Sequence, residues 1–511
     1  MNTSLNKKSS FIIHPFFLCC FPVLFLISFN AHELVVQDAF IPLVISVSIS
    51  FVFWIILRCF IDGKKAGLLV SLFIILFIIY GNAHSILQSS DSDTIQFLGS
   101  NPILGTIFSV VGIFGTIFFI KTKASTELNT IFNIVAISII AVLIVSLIFY
   151  YASNWPDTDN TIPDFVQEQV IINDVEKKPN VFVFILDAFA GEKTLKMDFN
   201  YDLAPFNKEL EKRDFAMPDV SFSNYPHSFL SLASTMNMNY LDSVVEGVDP
   251  NSKDFQPFVR LGDSSTVLRM FDSYDYKVTT LNAHGFPLGY TGKNIDEYLC
   301  TYFGEINIEL RKNLVLTYLP ITYFNDELLS HFNRDRLECI FSYIENYESD
   351  GKQPHFIHSH LMLPHYPYLY DSEGNNVSRD PNLKVDKEGY LDQLIFAERK
   401  ILELIDSIQK RSPESVIILH SDHGFRAAIN QANPTDEDLI RGFNNISAIY
   451  FPDKDIAFPE KFSLVNLYRI FFNTYFDTDY EILEDRQIWY NNIIPKPYVH
   501  VDVTDRLNSF I

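Results

Sequence analysis

Apolar residues are distributed in two ways along the chain. Up to Tyr151 they form five long runs, Phe11–Phe29, Phe40–Leu57, Leu68–Tyr80 with its flanks, Pro102–Ile120 and Ile131–Tyr151, joined by short polar stretches. About 20 helical residues cross a hydrocarbon core of about 30 Å, so five transmembrane helices are predicted. The third run is the shortest and is extended through Ala66 and into Gly81. Beyond Tyr151 the runs shorten and become rich in β-branched residues: Val181–Leu186, His355–Leu363 and Val416–Leu419. Continuous short runs of this kind read as strands buried on both faces. Leu394–Ile408 has apolar residues at helical spacing, and Phe229–Met238, free of Gly and Pro, is a helix beginning at Ser228. The predicted architecture is an α-helical membrane region followed by an α/β domain with a doubly wound, mostly parallel sheet.

Charge orients the first region. Lys7 and Lys8 precede the first run, Arg58, Lys64 and Lys65 lie between the second and third, and Lys121 and Lys123 lie between the fourth and fifth. The joints Glu33–Asp38 and Gly81–Asn101 carry neither Lys nor Arg. Cationic joints stay cytoplasmic, so the N-terminus is predicted inside and, after five crossings, the rest of the chain outside. The resulting division is a membrane domain over 1–152, a linker over 153–177 and an extracytoplasmic domain over 178–511. After residue 152 there are 32 Lys and Arg against 56 Asp and Glu. A balance near −24 excludes nucleic acid as a partner. Of five cysteines only Cys300 and Cys339 fall outside the membrane region, and whether they pair is left open.

The predicted strands end on chemistry. Val181–Leu186 runs into Asp187, His355–Leu363 into Pro364-His365, and Val416–Leu419 into His420-Ser421-Asp422-His423-Gly424. In open α/β sheets ligands gather past the carboxyl ends of strands, so these side chains converge on one edge. An Asp beside a His supplies a hard oxygen and an imidazole nitrogen, a pair suited to zinc or manganese, with magnesium also compatible. His358 and His360 alternate onto one strand face and read as a hydrogen-bonded structural pair; His227 and His284 have no spacing that singles them out.

Four segments in order resemble the alkaline phosphatase superfamily in its sulfatase-like branch. Pro179-Asn180-Val181 through Asp187 resembles the opening strand with the first metal ligand, and Ser421-Asp422-His423-Gly424 the late metal motif. Leu363-Pro364-His365-Tyr366-Pro367-Tyr368 is similar to the segment with the substrate-site histidine. Ser223 through Ser234 is similar to the nucleophile turn, and matching Ala233-Ser234 places Ser228 on the nucleophile. The likeness covers roughly residues 178 to 500. Sulfatases have a cysteine nucleophile followed by proline and arginine where this chain has Ser228, Leu230 and Leu232, so formylglycine maturation is not expected. Ala188 stands where they carry a second Asp. The ligand set the resemblance implies is Asp187, Ser228, Asp422 and His423 around one divalent metal, closest to membrane-bound phosphoglycerol and phosphoethanolamine transferases. Those mostly use threonine as nucleophile and often glutamate at the place of Asp187.

A serine hydroxyl needs activation, and metal coordination supplies it without a neighbouring base. His365 and Arg426 would add positive charge around a phosphoryl group at the start of the Ser228 helix. The expected activity is transfer of a phosphoryl-linked head group from a phospholipid donor to an envelope glycan or lipid acceptor at the bacterial cytoplasmic membrane. Hydrolysis with water as acceptor, and a non-catalytic membrane scaffold, are the alternatives. For Ser228 the competing structural role is a helix N-cap, and for Arg426 a solvated side chain or ion-pair partner.

Overall fold

The computed structural model describes residues 11–29, 39–88, 93–153, 169–175, 177–246, 248–250, 252, 257–258, 261, 265–282, 295–300, 322–349, 351–377, 379, 385–427, 429–454, 458, 461–490 and 498–509. The chain divides into two compact units, Met1–Asp157 with Phe303–Asn325, and Thr158–Tyr302 with Asp326–Ile511.

In the first unit the described helices are α1 (His14–Leu18), α2 (Phe21–Phe29), α3 (Phe40–Arg58), α4 (Gly63–Gln88), α5 (Asp93–Leu98), α6 (Asn101–Lys121) and α7 (Ser125–Ser153). All five apolar runs are helical. Gly63–His84, Asn101–Lys121 and Ser125–Ala152 are long and apolar enough to cross a membrane, whereas His14–Phe29 and Pro42–Arg58 are shorter apolar helices. The third run reaches 22 residues because its glycine-containing flanks stay helical. The first run breaks after Leu18, where Pro22 has no N–H to give the preceding turn. At the start of α1, Asn133 Oδ1 accepts from the N–H groups of Ile13 and His14 at 3.0 and 2.9 Å. Phe114, Ile134 and Phe149 are each at least 60% exposed on their helices, an apolar exterior suited to lipid.

In the second unit the described strands are β1 (Val181–Leu186), β2 (Phe215–Ala216), β3 (Val220–Phe222), β4 (Lys277–Asn282), β5 (Glu297–Leu299), β6 (His355–Leu361), β7 (Val416–Ser421), β8 (Ser447–Tyr450), β9 (Lys461–Ser463), β10 (Ile488–Tyr490) and β11 (His500–Asp502). Seven form one sheet in the order β2-β8-β7-β1-β6-β4-β5. The run β7-β1-β6-β4-β5 is parallel, and β8 alone runs antiparallel to both its neighbours. Alternation along β1 splits its side chains between two cores. Phe182, Phe184 and Leu186 pack with Leu394, Ile401 and Leu404 of the helix Lys387–Arg411. Val181, Val183 and Ile185 pack with Leu232 and Met236 of the helix Ser228–Asn237, and with the helices Thr266–Ser273 and Leu467–Tyr475. Helices therefore cover both faces, as the alternating runs predict.

Two boundaries differ from the sequence reading. β6 stops at Leu361 rather than Leu363, before the backbone enters the Pro364 loop. The helix over Leu394–Ile408 extends to Lys387–Arg411, starting where the Asp386 carboxylate accepts from Gly389 N. The end of the expected linker is hydrogen-bonded to the second unit: Tyr480 Oη accepts from Ile171 N at 3.3 Å, and Tyr274 Oη accepts from Asn173 N at 2.9 Å. Residues 154–168 of that linker lie outside the described residues, as does His284. Cys300 and Cys339 form a disulfide, Cα atoms 5.5 Å apart, tying the residue after β5 to the helix Thr322–Glu345.

Candidate active site

The central strands β1, β6 and β7 bring their carboxyl ends to one edge. Register pairs Ile185 with His360 of β6 and with His420 of β7, so these three side chains share a face. Two residues further on, Asp187 and Asp422 return to it. Ala188 turns the chain at φ 62°, a left-handed conformation uncommon for alanine. The turn aims its N–H at Asp422 Oδ1, 3.1 Å away, and Phe189 N at Ser421 Oγ, 2.9 Å away. Asp422 Oδ1 also accepts from His423 N at 2.9 Å. Behind this turn Gly424 is obligatory, since a Cβ there would lie 2.3 Å from Arg441 O and 2.5 Å from Asn444 O.

The result is a dense set of donor atoms closed off from water: Asp187, His360, Asp422 and His423 are each at most 1% exposed. Asp187 Oδ2 lies 3.4 Å from His360 Nε2, and Asp187 Oδ1 lies 3.8 Å from His423 Nε2. Asp422 Oδ2 lies 3.6 Å from His423 Nε2. Donors bound tetrahedrally at 2.0–2.1 Å sit about 3.3 Å from one another, so these spacings fit a divalent cation. The chemistry agrees. Neither Asp187 oxygen, nor Asp422 Oδ2, accepts a hydrogen bond among the described residues, and two buried carboxylates this close need positive charge. His423 Nδ1 lies 2.8 Å from Gly424 O, which can only accept. Nδ1 therefore carries the proton, and the Nε2 lone pair faces the carboxylates.

Electrostatics follow from burial. Desolvation pushes the Asp187 carboxyl up, but the imidazoles of His365, His360 and His423 outweigh it and hold it well below the usual carboxylate range. Burial pushes His423 below the ordinary imidazole range, with Asp422 and Asp187 opposing only part of the shift. Beneath the cluster, burial lowers His358 to about 3 and His420 to about 4, so both are neutral.

Ser228 opens the helix Ser228–Asn237, which packs on this same face. The N-cap position is His227, extended at φ −143°, ψ 134°, and its side chain makes no cap hydrogen bond. The N-cap role considered for Ser228 is thus absent. Its hydroxyl instead lies 3.2 Å from His423 Nε2. The Ser228 helix is anchored there by Ser231 Oγ, which donates to Asp422 O at 2.6 Å.

His365 comes from the loop after β6. Its N–H donates to Asp187 O at 3.2 Å, and its carbonyl accepts from Gln393 Nε2 at 2.8 Å, so its backbone is held beside the cluster. Arg426 is half-buried and bonds the ring of His227, with Nη1 3.1 Å from Nε2 and nearer still to Nδ1. A guanidinium only donates, so His227 accepts. Burial, aided by Arg426 and His423, depresses His227 well below the imidazole range and keeps it neutral. Burial also lowers Arg426, against the carboxylates of Asp187 and Asp422, whose field it shares.

The structure thus brings Asp187, Ser228, Asp422 and His423 together, with His365 and Arg426 around them. The sequence pattern alone makes His360 a structural histidine, yet with Asp187 and Asp422 it forms a group whose ligand atoms all lie within 4.8 Å of one another. His227, also passed over, holds Arg426. The signal for His360 was present in the His355-Phe356-Ile357-His358-Ser359-His360 alternation, but only the β1–β6 register shows which histidine reaches Asp187.

No family model matches the chain, and no curated protein sequence matches it. Among solved structures it is similar to the C-terminal periplasmic domain of EcEptC from Escherichia coli, at 15% identity and TM-score 0.41, over 64% of this chain and 94% of that one. It is similar to the integral membrane protein lipooligosaccharide phosphoethanolamine transferase A from Neisseria meningitidis, at 13% identity and TM-score 0.38, over 86% of this chain and 88% of that one. A third is the lipoteichoic acid synthase LtaP from Listeria monocytogenes, at 14% identity and TM-score 0.37, over 60% of this chain and 74% of that one. At such scores the likeness carries no weight for function, which rests on the site itself.

Proposed function

We propose that this chain is a membrane-anchored, metal-dependent enzyme of the sulfatase-like branch of the alkaline phosphatase superfamily. In this reading it transfers a phosphoryl-linked head group of the phosphoglycerol or phosphoethanolamine type from a lipid to an envelope glycan or lipid. The observation that carries it is the Ser228 hydroxyl 3.2 Å from the lone-pair nitrogen of His423, against the buried carboxylates of Asp187 and Asp422. Asp187, Ser228, Asp422 and His423 would hold a divalent cation, zinc or manganese, which when bound would lower the proton affinity of the hydroxyl and offset phosphoryl charge.

The residues divide the work. Ser228 Oγ forms a bond to phosphorus as the bond from phosphorus to the lipid alcohol breaks, and the Ser228 proton passes by way of His365 to the departing alcohol. An acceptor hydroxyl then takes the phosphoryl group, its proton returning to Ser228. Arg426, braced by His227, and the positive end of the Ser228 helix stabilise charge spread over the phosphoryl oxygens. The cationic joints and the odd number of apolar segments support a cytoplasmic N-terminus and an extracytoplasmic catalytic unit.

The test is mass spectrometry of the purified full-length protein after incubation with total envelope lipids. A head-group adduct on the Ser228 peptide is expected, and its mass names the donor. Ser228→Ala should lack the adduct and lose turnover by orders of magnitude. With no cap bond to lose, its stability should change by less than about 0.5 kcal/mol. Turnover near the parent rate in that variant would return the hydroxyl to a structural role.

A further inference from the structure

Resting on that reading of the site, we infer that His360 is a permanent metal ligand, so that Asp187, His360, Asp422 and His423 hold the cation and Ser228 is the ligand that exchanges. Three observations lead there. His360 Nε2 stands 3.4 Å from Asp187 Oδ2, close to the edge of a coordination tetrahedron. Its ligand atom, with one each from Asp187 and Asp422, falls in a single group within 4.8 Å. All three side chains are buried on the sheet face that carries the Ser228 helix, and they arrive from three adjacent strands whose register is fixed by parallel pairing on both sides of β1.

The chemistry of the nucleophile supplies the reason. Once Ser228 Oγ is bonded to phosphorus it is an ester oxygen with far less charge to offer a cation. A site that counted Ser228 among its essential ligands would weaken at the moment the phosphoryl group arrives. A second imidazole, set in a rigid strand, keeps the donor set intact through that step without adding negative charge. Asp187 takes part with both oxygens, Oδ2 towards His360 and Oδ1 towards His423, which suits a short aspartate at the hub of the site.

X-ray absorption at the zinc edge of the full-length, zinc-loaded protein counts imidazole ligands without any mutation. Two are expected, falling to one in His360→Ala, with zinc retention against a competing chelator weakened at least tenfold. Ser228→Ala should keep both imidazoles and most of its zinc. A count of one in the parent, or a count unchanged by His360→Ala, would overturn the inference and leave His360 as a hydrogen-bonding support of Asp187. His360→Gln serves if the alanine variant does not fold, since glutamine cannot supply an imidazole signal. The outcomes separate from those for the proposed function: a Ser228 adduct with one imidazole sinks only this inference, two imidazoles without an adduct sink only the transferase, and no bound metal sinks both.

Discussion

Glu398 is an acid set into the helical layer over one face of the sheet, 8% exposed. Burial raises it from 4.5 to about 7, and the Tyr201 hydroxyl, donating to Oε2 at 2.8 Å, reverses only part of that. Between those two values the folded protein keeps a proton that the unfolded chain has released, so stability declines as pH rises through the window. Glu398→Gln abolishes the dependence. In denaturant titrations the variant should match the parent near pH 4.5 and exceed it at pH 8 by up to about 3 kcal/mol; an equal gap at both pH values would assign the titration elsewhere. Ala188 shows the opposite use of a single residue. Its left-handed backbone costs about 1 kcal/mol, which the surrounding turn overrides to point its N–H at Asp422.

Much of the second unit is legible element by element. Val181–Leu186 and Val416–Ser421 are apolar on both sides, and a strand buried on both sides belongs at the centre of a parallel sheet, where both lie. Asp187, Asp422 and His423 follow directly, because each strand hands its next residues to the sheet edge. His360 was not legible for the same reason reversed: it sits inside a strand, diagonal to Asp187, and diagonals depend on register that one strand alone does not carry. His227 and the pairing of Cys300 with Cys339 likewise depend on tertiary approach. The disulfide closes a separation of 39 residues, for which loop entropy gives a stabilisation of about 4 kcal/mol. Alkylation of native membranes should leave Cys300 and Cys339 unlabelled until reductant is added, and reduction should lower the melting temperature of the purified protein. Free thiols at both positions before reduction would put this unit on the reducing side of the membrane, against the proposed orientation.

At the scale of the whole molecule, an apolar unit and an acidic one share a chain with 62 Asp and Glu against 39 Lys and Arg. An acidic unit gains nothing from its general field when it meets an anionic group, so in the proposed function recognition would fall to the few positive groups at the site, Arg426 and the proposed cation. The buried carboxylates of Asp187 and Asp422 carry this beyond catalysis. Shut away from water within reach of the same imidazole, they would make the proposed ion a part of the folded state, and any species bound only by that state shifts the folding equilibrium by mass action. Free metal at a thousandfold excess over its dissociation constant adds about 4 kcal/mol. The melting temperature of the full-length protein should therefore climb with the logarithm of zinc concentration and fall by several degrees after chelation. Asp422→Asn, which removes one of the two charges, should flatten the climb, and a parent melting point indifferent to zinc would show that the carboxylates are balanced from within the protein. In the proposed function the supply of metal would govern how much of the protein stands folded, and so how much of it outlasts the proteases that clear unfolded chains.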